Sequence, residues 1–210
     1  MTGALLKAIR AGWPLLLLVV PAALPAQTQR QRDIRDRWYD PDEARPRGAV
    51  LLRSEMLRAH NDARDAVGVP PIGWSEKLAV EAQGYARVLA RTRTFRHSDK
   101  ATRSAPQGEN LWMGSTGAFT YAEMAGSWIA ERRYYRPRAV IPDISTTGDW
   151  RDAGHYTQAI WRGTTLVGCG LASNGDDDYL VCRYSPPGNV FGRNATAVDP
   201  AAAPPPARKR

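Results

Sequence analysis

The chain has 210 residues and a formal net charge of +8, with 43% hydrophobic and 24% charged residues. That charge invites a nucleic-acid binder, but its distribution argues against one: from residue 49 to residue 192, 17 basic residues accompany 15 acidic ones, leaving only +2. A nucleic-acid-binding domain concentrates its basic residues on the folded face, whereas here the excess sits in Lys7 and Arg10, in the Arg30 to Arg47 stretch, and in Arg208, Lys209 and Arg210.

The first ten residues carry Lys7 and Arg10 and no acid, and an apolar run of about a dozen residues follows from Trp13 to Leu24. A membrane-spanning helix needs roughly 20 apolar residues, and Pro21 and Pro25 would break one. A charged start, a short apolar run and small residues after it are the parts of a secretory signal. Cleavage is expected after Ala26, with Ala23 as the alternative. Once the signal is removed, no other run is long enough to span a membrane, which points to a secreted protein, extracellular or periplasmic. Residues 27–48 are polar and rich in Arg, Asp and Pro, and read as a leader. Residues 193–210 are rich in Ala and Pro, and read as a disordered tail. Asn194-Ala195-Thr196 is a formal glycosylation sequon. Residues 49–192 suit one domain, large enough to bury roughly two-thirds of its unfolded surface.

Within the domain, Val50, Leu51, Leu57, Ala63 and Val67 mark an amphipathic helix stopped by Gly68 and Pro70. Ser75 is a natural N-cap for a second helix, with Leu78, Ala82, Tyr85, Ala86 and Leu89 on one face. Thr120 and Glu123 form a capping-box pattern opening a third helix. A short fourth helix is expected over His155 to Trp161. Strand-like runs cover 110–113, 165–172 and 179–185, and the last two flank a Gly- and Asp-rich loop that reads as a hairpin turn. Cys169 and Cys182 fall one on each arm of that hairpin. Their spacing excludes a CxxC redox or zinc pair. A disulfide there would staple the hairpin, worth about 3 kcal/mol in the chain-entropy view; two buried free thiols are the alternative.

Four stretches carry a family resemblance: HNDAR (60–64), GENLW (108–112), GHYTQAIWRGT (154–164) and YLVCRYSPPGNV (179–190). Together they resemble the CAP superfamily, or SCP-domain proteins, which includes cysteine-rich secretory proteins, venom allergens and plant pathogenesis-related proteins. This chain resembles a single-domain member, and its abundance of Ala, Arg and Pro suggests a bacterial source. The resemblance implies an α+β fold, an α-β-α sandwich with a three-stranded antiparallel sheet between helical layers. It also implies a cleft lined by two histidines and two glutamates, carried over as His60, Glu109, Glu131 and His155. Two imidazoles and two carboxylates suit zinc or another divalent cation, the alternative being a purely structural His–Glu network. Tyr156 and Gln158 are candidates to line the cleft, with core packing as the alternative. Asn61 and Arg64 are expected to brace the helix against the sheet, and His97 is read as structural.

Three functions are compatible with these residues. The first is a non-enzymatic extracellular binding module for a lipid or other small hydrophobic ligand, with a metal-capable cleft. The second is a metal-dependent, peptidase-like hydrolase with Glu109 or Glu131 as base. The third is a structural role at the cell envelope, its basic ends adhering to an acidic component. Binding is favoured over catalysis, in a protein expected to be a monomer.

Overall fold

A computed structural model describes residues 45–198, so the signal, most of the leader and the end of the tail lie outside the described residues. Among the described residues four α-helices are formed: α1 (Ala49–Asp65), α2 (Glu76–Thr92), α3 (Tyr121–Ala130) and α4 (Gly154–Ala159). Four strands accompany them: β1 (Gly73–Trp74), β2 (Gly108–Ser115), β3 (Leu166–Ser173) and β4 (Asp177–Ser185). Local chemistry sets the helix starts. Ser75 accepts the Leu78 N–H at 3.3 Å to open α2. Thr120 and Glu123 close a reciprocal capping box at the start of α3, each accepting from the other's backbone.

The sheet order is β1-β3-β4-β2, with β4 antiparallel to both β3 and β2. Three antiparallel strands were expected, and a fourth is present. β1 pairs parallel to β3 through only Gly73↔Leu166 and Trp74↔Val167, and two residues leave no periodicity to read in a sequence. β4 is buried on both faces. Tyr179 and Val181 pack with Ala82, Ala86 and Leu89 of α2. Leu180, Cys182 and Tyr184 pack on the other face with Met56 of α1 and Met124 and Trp128 of α3. The result is an α-β-α sandwich. Gly168 and Gly170 on β3 let α2 lie on the sheet, since a Cβ at either would collide with the α2 backbone near Ala79 and Gln83. Cys169 and Cys182, which lie directly opposite each other between β3 and β4, form a disulfide.

Packing runs past residue 192 at one end and before residue 49 at the other. Ala195 is buried beside Tyr156 and Trp161, and Arg162 donates to the Thr196 carbonyl at 2.6 Å. The Asn194 amide of the sequon is already used, donating to the Ala139 carbonyl at 2.6 Å. At the other end Arg47 pairs with buried Asp178 at 3.0 Å and lies over the Tyr121 ring. Short segments of this kind pack through a few specific contacts, which composition does not reveal.

Arg64 braces the fold, but against loops and the end of α4 rather than the sheet. Its guanidinium is buried and donates to the carbonyls of Pro70, Ala159, Trp161 and Thr164. Asn61 adds a reciprocal pair with the backbone of Ile72. Four acceptors from two stretches of chain thus converge on one planar fork, a geometry that an ammonium group cannot reproduce. Arg64→Lys should therefore cost about 2–4 kcal/mol, because buried carbonyls lose their donors. Chemical denaturation of the variant against the wild type measures the loss, and a difference below about 0.5 kcal/mol, the size of a neutral surface change, would show that Arg64 is not the brace.

Candidate functional site

The four residues carried over to the cleft do not converge. His60 faces inward from α1 and is fully buried. Its Nδ1 lies 2.7 Å from the Met56 carbonyl, and its Nε2 lies 2.8 Å from the Tyr184 hydroxyl. A carbonyl can only accept, so Nδ1 carries the proton and Nε2 accepts from the phenol. Both nitrogens are spent on protein partners, which leaves none for a ligand. Burial pushes the imidazole pKa down to about 4, and the nearby Arg64 charge adds to that shift against the Met56 hydrogen bond. His60 is thus a neutral core residue, continuing the buried line of Leu52 and Met56 along α1.

The histidine that meets Glu109 is His97, on the loop between α2 and β2. Its Nδ1 lies 2.7 Å from Glu109 Oε1. Ser98 donates its N–H to Oε1 at 3.0 Å and its hydroxyl to Oε2 at 2.9 Å. Arg183 of β4 donates to Oε2 at 3.1 Å, and Arg103 approaches Oε1 at 3.4 Å. The Glu109 side chain is 1% exposed while that of His97 is 60% exposed. Burial alone would raise the Glu109 pKa, but the His97 hydrogen bond, the Arg183 and Arg103 charges and the Ser98 hydroxyl together hold it below the ordinary value. Arg103 also fastens the loop to itself, donating to the Ser98 hydroxyl and to the Ser98 and Gln107 carbonyls.

Glu131 and His155 form a second pair of the same kind. His155 Nδ1 lies 2.6 Å from Glu131 Oε1, and Glu131 Oε2 accepts the backbone N–H groups of His155 at 2.9 Å and Tyr156 at 3.2 Å. The His155 ring stacks on Trp128 with centroids 6.1 Å apart and planes 21° from parallel. Both pairs attach to one short stretch of the edge strand. Glu109 lies on β2, and its neighbour Asn110 donates its side-chain amide to the His155 carbonyl at 3.1 Å. In each pair the carboxylate engages Nδ1, and Nε2 has no hydrogen-bond partner among the described residues.

Tyr156 and Gln158, the two candidate lining residues, are buried. Tyr156 packs edge-on against Tyr135, and Gln158 accepts the Gly188 N–H at 3.0 Å and reaches Thr164. Tyr156 also borders a groove of about 250 Å³ between α1 and α3. Ala59, Ala63, Ala122 and Gly126 keep its floor small, and Arg58 and Arg132 stand on its walls. Among the described residues no three His, Cys, Asp or Glu side chains are grouped to hold a metal ion, so the four-ligand cage implied by the resemblance is not assembled. Sequence reasoning missed His97, Ser98, Arg103 and Arg183 as the set that surrounds Glu109. The available signal was the His97-Ser98 pair just ahead of the GENLW strand.

Residues 57–184 match the family model described as CAP, the cysteine-rich secretory protein family. Pathogenesis-related protein 1C of Nicotiana tabacum is 38% identical over 143 residues, covering 68% of this chain and 79% of that one. The Golgi-associated plant pathogenesis-related protein 1 of Homo sapiens is 37% identical over 140 residues, covering 66% and 85%. Among solved structures, that of NaASP2 with Zn2+ superposes with a TM-score of 0.56 at 23% identity, over 75% of this chain and 89% of that one. Venom allergen-like protein 4 of Schistosoma mansoni gives 0.52 at 21% identity, over 72% and 98%.

The state of His60 makes stability depend on pH. The unfolded chain protonates this imidazole near pH 6.5, whereas the fold keeps it neutral down to about pH 4. Its contribution is complete above pH 6.5 and is lost as pH falls through that window. His60→Gln should be less stable at pH 7 yet show a flatter decline between pH 6.5 and 4. Parallel slopes for the two proteins in denaturation series would show that His60 is not the buried neutral group.

Proposed function

The chain belongs to the cysteine-rich secretory protein (CAP) family, and from that premise we propose that it is an extracellular binding protein whose cleft takes a divalent cation on His97 and His155. The observation that carries this reading is the repeated arrangement in which a carboxylate engages histidine Nδ1 and leaves Nε2 without a protein partner. Metal-binding histidines characteristically give their second nitrogen to such a carboxylate, which fixes the tautomer and the ring orientation. On this reading Glu109 and Glu131 orient the ligands and are not ligands themselves. His60 leaves the set and His97 enters it. A bound cation would supply positive charge and open positions for an anionic group on a ligand. Two imidazoles alone imply modest affinity. The presence of Zn2+ with the structurally similar NaASP2 is in keeping with this choice of ion.

The hydrolase alternative is less well supported. A general base needs a lone pair facing the reacting water. Glu109 accepts from His97, Ser98, Arg103 and Arg183, and Glu131 from the ring and two backbone amides. Both carboxylates are engaged in holding rings and loops. For a small hydrophobic ligand, the groove between α1 and α3 offers an apolar floor, with Arg132 and the Arg58–Asp62 ion pair at its walls.

Titration calorimetry with zinc at pH 7.5 tests the cleft. Binding should weaken at least about tenfold for His97→Ala or His155→Ala. Glu131→Gln should weaken it less than either histidine loss. Wild-type protein that binds no zinc at millimolar concentration, or equal binding by a variant lacking both histidines, would overturn the reading.

A further inference from the structure

A second concavity, of about 390 Å³, lies where the C-terminal turn of α2 meets the β3–β4 hairpin. Ala90 and Ala172 line this open concavity with small side chains, and Arg87, Arg91 and Arg93 surround it together with Asn174. Arg87 and Arg91 are four residues apart on one face of α2, a spacing at which like charges repel. Neither makes an ion pair or a side-chain hydrogen bond among the described residues. Arg93 stands just past the helix end with a left-handed backbone, φ 51, a conformation that residues other than Gly and Asn rarely take. Asp176 across the hairpin holds its guanidinium at 2.7 Å. From residue 82 to residue 98 the chain carries four arginines and no acid, and the nearby acids, Asp176 and Asp177, come from the hairpin and act on Arg93.

Cations in the last turn of a helix complement its dipole, and that accounts for one or two arginines there. It does not account for three set around an alanine-lined depression, one of them on a strained backbone and anchored by its own acid. We propose that this depression binds an oxyanion, a sulfate or phosphate ester carried on an acidic polymer. Guanidinium groups match such oxygens two at a time, in a planar fork. Attraction to the polymer before contact would follow from the same charge and weaken with salt. The site is separate from the His97–Glu109 pair. Glu109 pairs with Arg183 near the far end of β4, six residues from Asp177 at the hairpin end, or about 20 Å along a strand.

Dextran sulfate is the probe, with binding measured by calorimetry at low ionic strength on the mature chain. Arg87→Glu with Arg91→Glu should weaken binding about tenfold or more. The matched control is Arg133→Glu with Arg138→Glu, which reverses the same charge at a second arginine cluster and should change binding less than about threefold. Inorganic phosphate should displace the polymer more strongly than chloride at equal ionic strength, which would assign recognition to the oxyanion group itself. Equal losses in the two double variants would show that net charge alone governs binding, and would overturn the proposal. So would phosphate and chloride acting alike, or wild-type protein that does not bind the polymer.

Discussion

One buried carboxylate organises the site end of this domain. Glu109 receives hydrogen bonds from His97 and Ser98 on the loop after α2, lies against Arg103 of the same loop, and pairs with Arg183 on the neighbouring strand. Burying an acid is costly unless it is paired and hydrogen-bonded, and here both oxygens are occupied. The same contacts tie an irregular loop to the edge strand and hold an exposed imidazole over it. Arg183 bears part of the cost, since its Nε and Nη1 are buried with no protein partner while its guanidinium lies 5.3 Å from the Tyr85 ring centroid. Removing the Glu109 charge would leave two largely buried arginines facing each other, so loop and strand depend on it together.

The second constraint lies on the other side of the sheet. Arg64 and His60 are polar residues on the buried stripe of α1, and both succeed there because their hydrogen-bonding groups are matched. Arg64 meets four carbonyls, and neutral His60 meets one carbonyl and one phenol. The HNDAR motif is therefore architectural. The disulfide adds a local tie between β3 and β4, strands that already pair over eight residues.

Much of this was legible in the sequence where the signal is local. Ser75, Thr120 and Glu123 announce their helix starts, and the Gly- and Asp-rich turn announces the hairpin carrying Cys169 and Cys182. The family motifs identified the α-β-α sandwich. What the sequence could not show directly was which histidine meets which acid, because no local spacing motif ties either His60 or His97 to Glu109. The spacing of His60 from Leu52 and Met56, four residues at each step, is the signal that it belongs to the core. His97, beside Ser98 and ahead of the GENLW strand, carries the opposite signal. The packing of Ala195 and Arg47 was not legible, since each depends on a few distant contacts and not on composition.

The proposal for the site is that His97 and His155 present the same nitrogen to the same ligand. Long-range nitrogen–proton NMR on 15N-histidine-labelled protein reads the tautomer of each ring directly. At pH 8 the account predicts that His97 and His155 are both protonated at Nδ1, and that the Nε2 resonances of both shift on adding zinc while those of His60 stay fixed. A proton on Nε2 of either ring, or a zinc shift confined to one of them or appearing at His60, would contradict it.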